Sequence, residues 1–480
     1  MADPTAMMRP RHDSVDGQDR SRRCSPSGRR VMLLLVVALA LLIRGFFFFS
    51  SLADPGVRQI ESDSHGYLAL ARSLERGEGF ARDVEIEPGK PSVWLPELVR
   101  TPGYPAIIAV MHWLFGRDQL ATIVFQNLVG VALCVTGALA AQRHFGPRAG
   151  LAAGLLLALD IEGAALANLV LSELLYGALI FFAVLLIADG VERPSPARMA
   201  AGGALLGLGV LVRPTTMLFG LFLTLLLLGW ALLRRRRQLA VGVILLGVCA
   251  NGLLIPLVIR NGRVAGEYTV TSVGRAVLIG FHATDTLARA KGISREQAAE
   301  EIESRLHLSY NYVRAYPLTA EQRSSLNRLA FQVIREHPRA FLTEWAYLTA
   351  RMLGAPDKSV FIPLGLSPNL PIREHLLAGR RSEASIPLSA WIAWVLQWPY
   401  MLLVWASFGV GVIWAIRYRS RSALVWLSLL VSVYVLALSS GSPGDERYRW
   451  PVLPSIVLVS ASVLHDNRRH SAATLAAQFA

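Results

Sequence analysis

The feature that most constrains this chain is a succession of apolar runs, most of them near the roughly 20 residues a helix needs to cross a bilayer. They are Val31–Leu52, Leu120–Ala141, Ala149–Val170, Leu174–Ala188, Ala200–Leu211, Thr216–Leu233, Leu239–Ile259, Trp391–Ile416, Ala423–Leu438 and Val452–Leu464. Hydrocarbon offers no water to backbone N–H and C=O groups, so each run satisfies them internally as a helix. With 53% hydrophobic and 17% charged residues in 480, most of the chain has lipid as its solvent. The sequence therefore predicts an all-α polytopic membrane protein. Val31–Leu52 is too long, and too poor in small residues at its end, for a removed signal peptide; it reads as a retained anchor.

A net charge of +14 invites a nucleic-acid partner, but the basic residues sit in short clusters between apolar runs, not on one soluble face, so no nucleic-acid partner is expected. The clusters report topology. Arg20, Arg22, Arg23, Arg29 and Arg30 hold residues 1–30, a polar segment expected to be disordered, in the cytoplasm. The chain then runs outside through a large first loop, 53–118. There Gly103–Phe115, short and bracketed by prolines, is expected to be an interfacial or re-entrant helix. From that point the basic groups 144–148, 192–198, 234–237, 417–421 and 468–469 all fall inside, as the positive-inside rule requires. Ten crossings with both termini cytoplasmic satisfy every cluster, and the plasma membrane is the expected location.

The resulting divisions are an N-terminal membrane module (31–260), an extracytoplasmic segment (261–388), C-terminal membrane helices (389–465) and a cytoplasmic tail (466–480). Within the second, 295–306 and 320–337 carry a helical period, and 341–353 is expected to lie against the membrane. The cysteines Cys24, Cys134 and Cys249 suggest neither a disulfide framework nor a zinc site.

Charges at span ends beside a bilayer are costly and are functional candidates by default. By the parity above they share one outer face: Glu61 and Asp63, Arg100, Glu173, Arg213, Arg260 with Asn261, and the run 445–449 holding Arg447, Tyr448 and Arg449. A carboxylate at 61 or 63 suits a general base. The guanidinium of Arg100 suits a phosphate, and arginines 447 and 449, placed where the positive-inside rule disfavours them, ask for a local anion. Plainer roles fit the same residues: an N-cap by Ser62, Asp63 or Ser64, snorkelling of Arg100, and pairing of Glu173 with Arg213.

No GxGxxG after a strand, GxxxxGK[ST], HExxH or paired CxxC occurs, so nucleotide-sugar, ATP and zinc-hydrolase chemistries lack a motif. No cofactor is expected to be required, and a divalent metal, though compatible, has no motif behind it. An outer-face enzyme without a nucleotide fold draws its activated group from the membrane, and polyprenyl-phosphate sugars are donors of that kind.

The stretches DSHGYLALARSLERGEGF (63–80), RTPGYP (100–105), LSELLY (171–176), LVRP (211–214), IRN (259–261) and ERYRWPVLP (446–454) together resemble bacterial glycosyltransferase family 39. That family is related to the protein O-mannosyltransferases and the lipid A aminoarabinose transferases. The resemblance spans about residues 31–465, in the family's order. It implies a GT-C-like bundle of about 10–13 transmembrane helices, with a large first extracytoplasmic loop and a small outer-face helical domain.

It further implies inverting, metal-optional transfer of a sugar from a polyprenyl-phosphate donor to a lipid, glycan or protein acceptor. Asp63 takes the place of the family's first-loop acid, with Glu61 as a second candidate. Arg100, Arg447, Arg449, Tyr448 and Arg260 take the donor phosphate and lipid, and Tyr67, Tyr104, Glu173, Arg213 and Asn261 the substrate. Ser64 stands where family members often carry a second acid. A carrier or flippase of lipid-linked saccharides is the alternative, since many spans and intramembrane charges describe carriers too. A non-catalytic assembly subunit is the plainest reading of all.

Overall fold

The computed structural model describes residues 26–53, 56, 58, 62–85, 91–367, 386–441 and 445–465. Glu61, most of the N-terminal tail and the segment after residue 465 lie outside the described residues. Helix α1 (Pro26–Ala53) begins ahead of the expected Val31, so the last residues of the polar tail are helical. Among the described residues six helices are long and apolar enough to cross a membrane, and four further apolar helices are shorter. The six include α1, α4 (Leu120–Phe145), α7 (Glu173–Glu192) and the span built on α9 (Phe219–Leu233). Helix α7 is the central pillar, with 72% of its apolar window buried against 28% for α1. Exposed leucines such as Leu34 and Leu233 turn outward, as lipid-facing side chains do.

Two expected spans are broken. Ala149–Val170 divides into α5 (Pro147–Ala158) and the single turn α6 (Ile161–Leu166), with Asp160 extended between them. An unbroken helix would leave Asp160 and Glu162 facing hydrocarbon unpaired, whereas the break turns both toward partners late in the chain. Leu239–Ile259 divides at Leu253 into α10 (Arg237–Gly252) and α11 (Ile255–Ala265). There Pro256, which donates no N–H, fits only a helix's first turn. Helix α8 (Pro196–Val212) meets α10 through small residues. A Cβ on Gly203 would stand 2.3 Å from the Leu246 carbonyl oxygen, and one on Gly207 2.7 Å from that of Ala250. Helices in lipid associate closely by this route.

The first loop holds α2 (Ser62–Glu75), a hairpin of β1 (Ala81–Val84) and β2 (Val93–Pro96), and α3 (Gly103–Phe115). The hairpin is antiparallel, pairing Ala81 with Pro96 and Val84 with Val93. It is the one departure from an all-helical fold among the described residues. His112 on α3 pairs with Glu75 at the end of α2, 2.6 Å apart, which fixes the two helices together.

The segment after α11 is a small helical unit of its own. The helices Arg295–Leu306 and Ala320–Glu336 both start in full capping boxes, Ser294 with Gln297 and Thr319 with Gln322, as S/T-x-x-Q spacing dictates. They bury Ile302, Leu326 and Val333 with Ile279 and Leu287. Glu267 ties the unit together by accepting from Arg275 at 2.6 Å and from the backbone of Leu318. Helix Pro338–Gly354 follows, and the long helix Leu388–Arg417 comes later in the chain. The C-terminal span opens with the 3-10 segment Glu446–Val452 before Leu453–Ala461.

Candidate active site

Asp63 lies in the first turn of α2, where the helix dipole and free N–H groups favour a carboxylate. Its Oδ1 accepts from Arg100 Nη2 at 2.8 Å, and its Oδ2 from Arg447 Nη2 at 3.1 Å. The two guanidiniums are buried, while the carboxylate is 27% exposed. The charged pair thus stands behind the acid, which faces the open side. Burial alone would raise the Asp63 pKa, but Arg100, Arg447 and Arg213 outweigh it and hold the carboxyl at about 2.

Arg100 is aimed by its own turn. Glu97 accepts from the backbone N–H of Val99 at 2.8 Å and of Arg100 at 3.0 Å, and from Arg82 Nε on β1 at 2.7 Å. The Arg100 guanidinium lies 5.5 Å from the centre of the Tyr67 ring, one helical turn along from Asp63. It also lies against Gly66, where a Cβ would stand 2.6 Å from Arg100 Cζ. Only a bare Cα lets the guanidinium sit there.

Arg447 is held by three acids: Asp63, Glu173 at 3.3 Å and Asp445 at 3.2 Å. Glu173 opens α7 and also binds Arg213 Nη1 at 3.0 Å. Arg213 donates to Ser172 Oγ, and its guanidinium lies 4.8 Å from the Tyr448 ring centre. Residues of the first loop, the start of α7, the end of α8 and the last span thereby form one continuous polar network. Asp63, Arg100, Glu173, Arg213, Arg447, Tyr448 and Tyr67, expected from separated motifs, meet in it.

Other expected residues are placed differently. Arg449 faces away from Asp63; it binds Glu162 Oε2 at 2.8 Å and the carbonyls of Met352 and Ala355, so its donors are spent on the scaffold. Arg260 donates to the carbonyls of Glu97 and Phe80, and Asn261 to that of Thr269. Arg260 thus holds the first loop to α11, and Asn261 holds the turn that follows α11. Tyr104 is fully buried with its hydroxyl on Gln126 at 2.6 Å, a support beneath Tyr67 at 4.9 Å between ring centres. Sequence reasoning missed Glu97, Gly66 and Glu162. An acid three residues before Arg100 in a proline-flanked turn was a readable sign for Glu97. Glu162, inside an apolar run, offered none.

The described residues form a helical membrane bundle with a large first loop, a polytopic membrane protein with a GT-C-like fold. Residues 99–256, a third of the chain, match the family model described as dolichyl-phosphate-mannose-protein mannosyltransferase. Among solved structures, the apo oligosaccharyltransferase of Archaeoglobus fulgidus is similar over 94% of this chain and 52% of its own, at 13% identity and a TM-score of 0.51. This chain therefore spans about half the length of that archaeal protein. ArnT from Cupriavidus metallidurans, in the apo state and bound to undecaprenyl phosphate, is similar over 93% of this chain and 79% of its own. There the identity is 16% and the TM-score 0.37. No curated protein matches the sequence.

Proposed function

We propose that this protein is a glycosyltransferase that moves a sugar from a polyprenyl-phosphate donor to a hydroxyl on a lipid, glycan or protein acceptor at the outer face of the plasma membrane. The observation that carries the reading is Asp63 bridging Arg100 and Arg447. In the free protein Asp63 occupies both guanidiniums and is too acidic to be an effective base. A donor phosphate is a better bidentate partner for two arginines. By taking them over it releases Asp63 toward the acceptor. The acceptor hydroxyl then attacks the anomeric carbon from the face opposite the phosphate, its proton passes to Asp63, and the carbon–oxygen bond to phosphate breaks with inversion. The electron pair leaves with the phosphate, whose growing charge Arg100 and Arg447 stabilise.

The reading is supported by an apolar groove of about 880 Å³ beside the same loop, lined by Phe80, Trp94, Pro102, Leu211, Leu257 and Arg260, which suits a polyprenyl chain. The family model and the archaeal fold point to the same class of enzyme. Undecaprenyl phosphate is bound in one structure of ArnT, and dolichol phosphate in one of the archaeal oligosaccharyltransferase.

The test is Asp63→Asn in a transfer assay with a polyprenyl-phosphate sugar, after membrane insertion has been checked. Loss of product with intact insertion is expected; an unchanged product profile removes Asp63 from the reaction. Mass spectrometry of envelope glycans and glycolipids from cells lacking the protein then identifies sugar and acceptor. Cysteines placed at the exposed positions 93 in the first loop and 268 after α11 are expected to label only from the outside, and labelling from the cytoplasm alone reverses the orientation.

A further inference from the structure

Behind the clamp lies a second group of acids that the transfer reaction does not use. Asp357 caps the 3-10 turn Lys358–Val360 beyond helix Pro338–Gly354, and Asp445 and Glu446 open the segment that carries Arg447. One carboxylate oxygen from each of the three lies within 4.8 Å of the other two. Asp357 is fully buried, and Glu446 is 4% exposed.

Each carboxylate has one oxygen engaged. Asp357 Oδ1 accepts from the Ser359 N–H at 2.7 Å, Asp445 Oδ2 pairs with Arg447 at 3.2 Å, and Glu446 Oε1 accepts from Arg351 Nε at 2.8 Å. The second oxygen of each, Asp357 Oδ2, Asp445 Oδ1 and Glu446 Oε2, is buried with no hydrogen-bond partner. Buried charged oxygens without a partner are costly, and three on carboxylates this close together are costlier still. The surrounding arginines do not cancel them. Asp63, Glu162, Glu173 and these three acids face Arg100, Arg213, Arg351, Arg447 and Arg449, which leaves one negative charge over in this network.

We propose that Asp357, Asp445 and Glu446 bind one divalent cation through their three free oxygens. An all-oxygen, all-carboxylate set selects a hard ion such as magnesium, calcium or manganese over zinc or copper. The ion ties the outer end of helix Pro338–Gly354 to the C-terminal arginine motif. Asp445 bridges it to Arg447, one oxygen on the metal and one on the guanidinium, so the ion positions the clamp without touching substrate. The site is separate from Asp63 and stands whether or not the transfer reaction is as proposed above.

The test uses full-length protein in nanodiscs, stripped with a chelator and titrated with Mn²⁺, free ion being followed by electron paramagnetic resonance. The wild type is expected to take up one ion saturably at or below about 1 mM, the range of extracellular oxygen-ligand sites, and to release it to excess Ca²⁺ or Mg²⁺. Asp357→Asn keeps the acceptor for Ser359 and is expected to abolish saturable uptake, and with it the rise in Tm on Mn²⁺ addition. Asp63→Asn is expected to bind Mn²⁺ as the wild type does. If Asp357→Asn fails to fold, Glu446→Gln is read in its place. No saturable Mn²⁺ on the wild type, equal binding by the Asp357 variant, or loss of the ion in Asp63→Asn alone each overturns the proposal.

Discussion

Arg447 Nη2 lies 3.1 Å from Asp63 Oδ2, a hydrogen bond that spans 384 positions of sequence. It joins the start of the C-terminal span to the first loop, and it gives Asp63 two cationic partners in place of one.

Gly66 makes the other half of that clamp possible. A methyl group there would meet the tip of Arg100, a flexible end that can swing aside, so Gly66→Ala is expected to fold normally. The displaced guanidinium no longer reaches Asp63. Transfer is expected to fall at least about 10²-fold, the scale of losing one preorganised charge donor, with Tm within a few degrees of wild type. Normal turnover in the variant removes Arg100 from the reaction.

The pH profile separates free from donor-bound enzyme. With its carboxyl held at about 2 in the free protein, Asp63 stays ionised well below neutrality, so kcat/KM is expected to show no acidic limb from this residue at any practical pH. Once the donor has taken the arginines, the carboxyl returns toward the ordinary range of about 4, and the acidic limb of kcat is expected at higher pH than that of kcat/KM. Coincident limbs argue that Asp63 keeps its arginines throughout. Linkage has the same sign: a depressed pKa stabilises the fold above the unfolded value of 3.8 and loses that contribution as pH falls toward 2.

Arg449 gives a contrasting case. Replacing it by Gln leaves Glu162 buried and uncompensated, a loss on the order of 3–5 kcal/mol. Adding Glu162→Gln is expected to recover most of the lost Tm. A double variant no more stable than the single one shows that the pair is not coupled.

The contrast shows what the sequence could convey. Lipid imposes helix length directly, so most span positions could be read, as could the cost of charge at 63, 100, 173, 213 and 447. Arg447 and Arg449 look alike in sequence. In a 3-10 segment with about three residues per turn, side chains two apart point about 120° from each other. One meets Asp63 and the other Glu162. Which way each points depends on the break at Asp160, and nothing in the apolar run 149–170 announced it, because the partners that stabilise it lie 287 to 290 residues further on. Glu97 was hidden for a related reason, since its role is to bind backbone that the sequence does not display.

The same break has a bearing on how the protein is made. Trp450 Nε1 reaches Asp160 at 2.6 Å and Arg449 reaches Glu162, so two acids threaded into the membrane early wait for partners that the ribosome supplies near the end of translation. Until then Asp160 and Glu162 lack these partners, and Asp63 has Arg100 but not Arg447. A nascent chain stopped short of Arg447 therefore carries two acids without their partners, a costly state inside a membrane bundle.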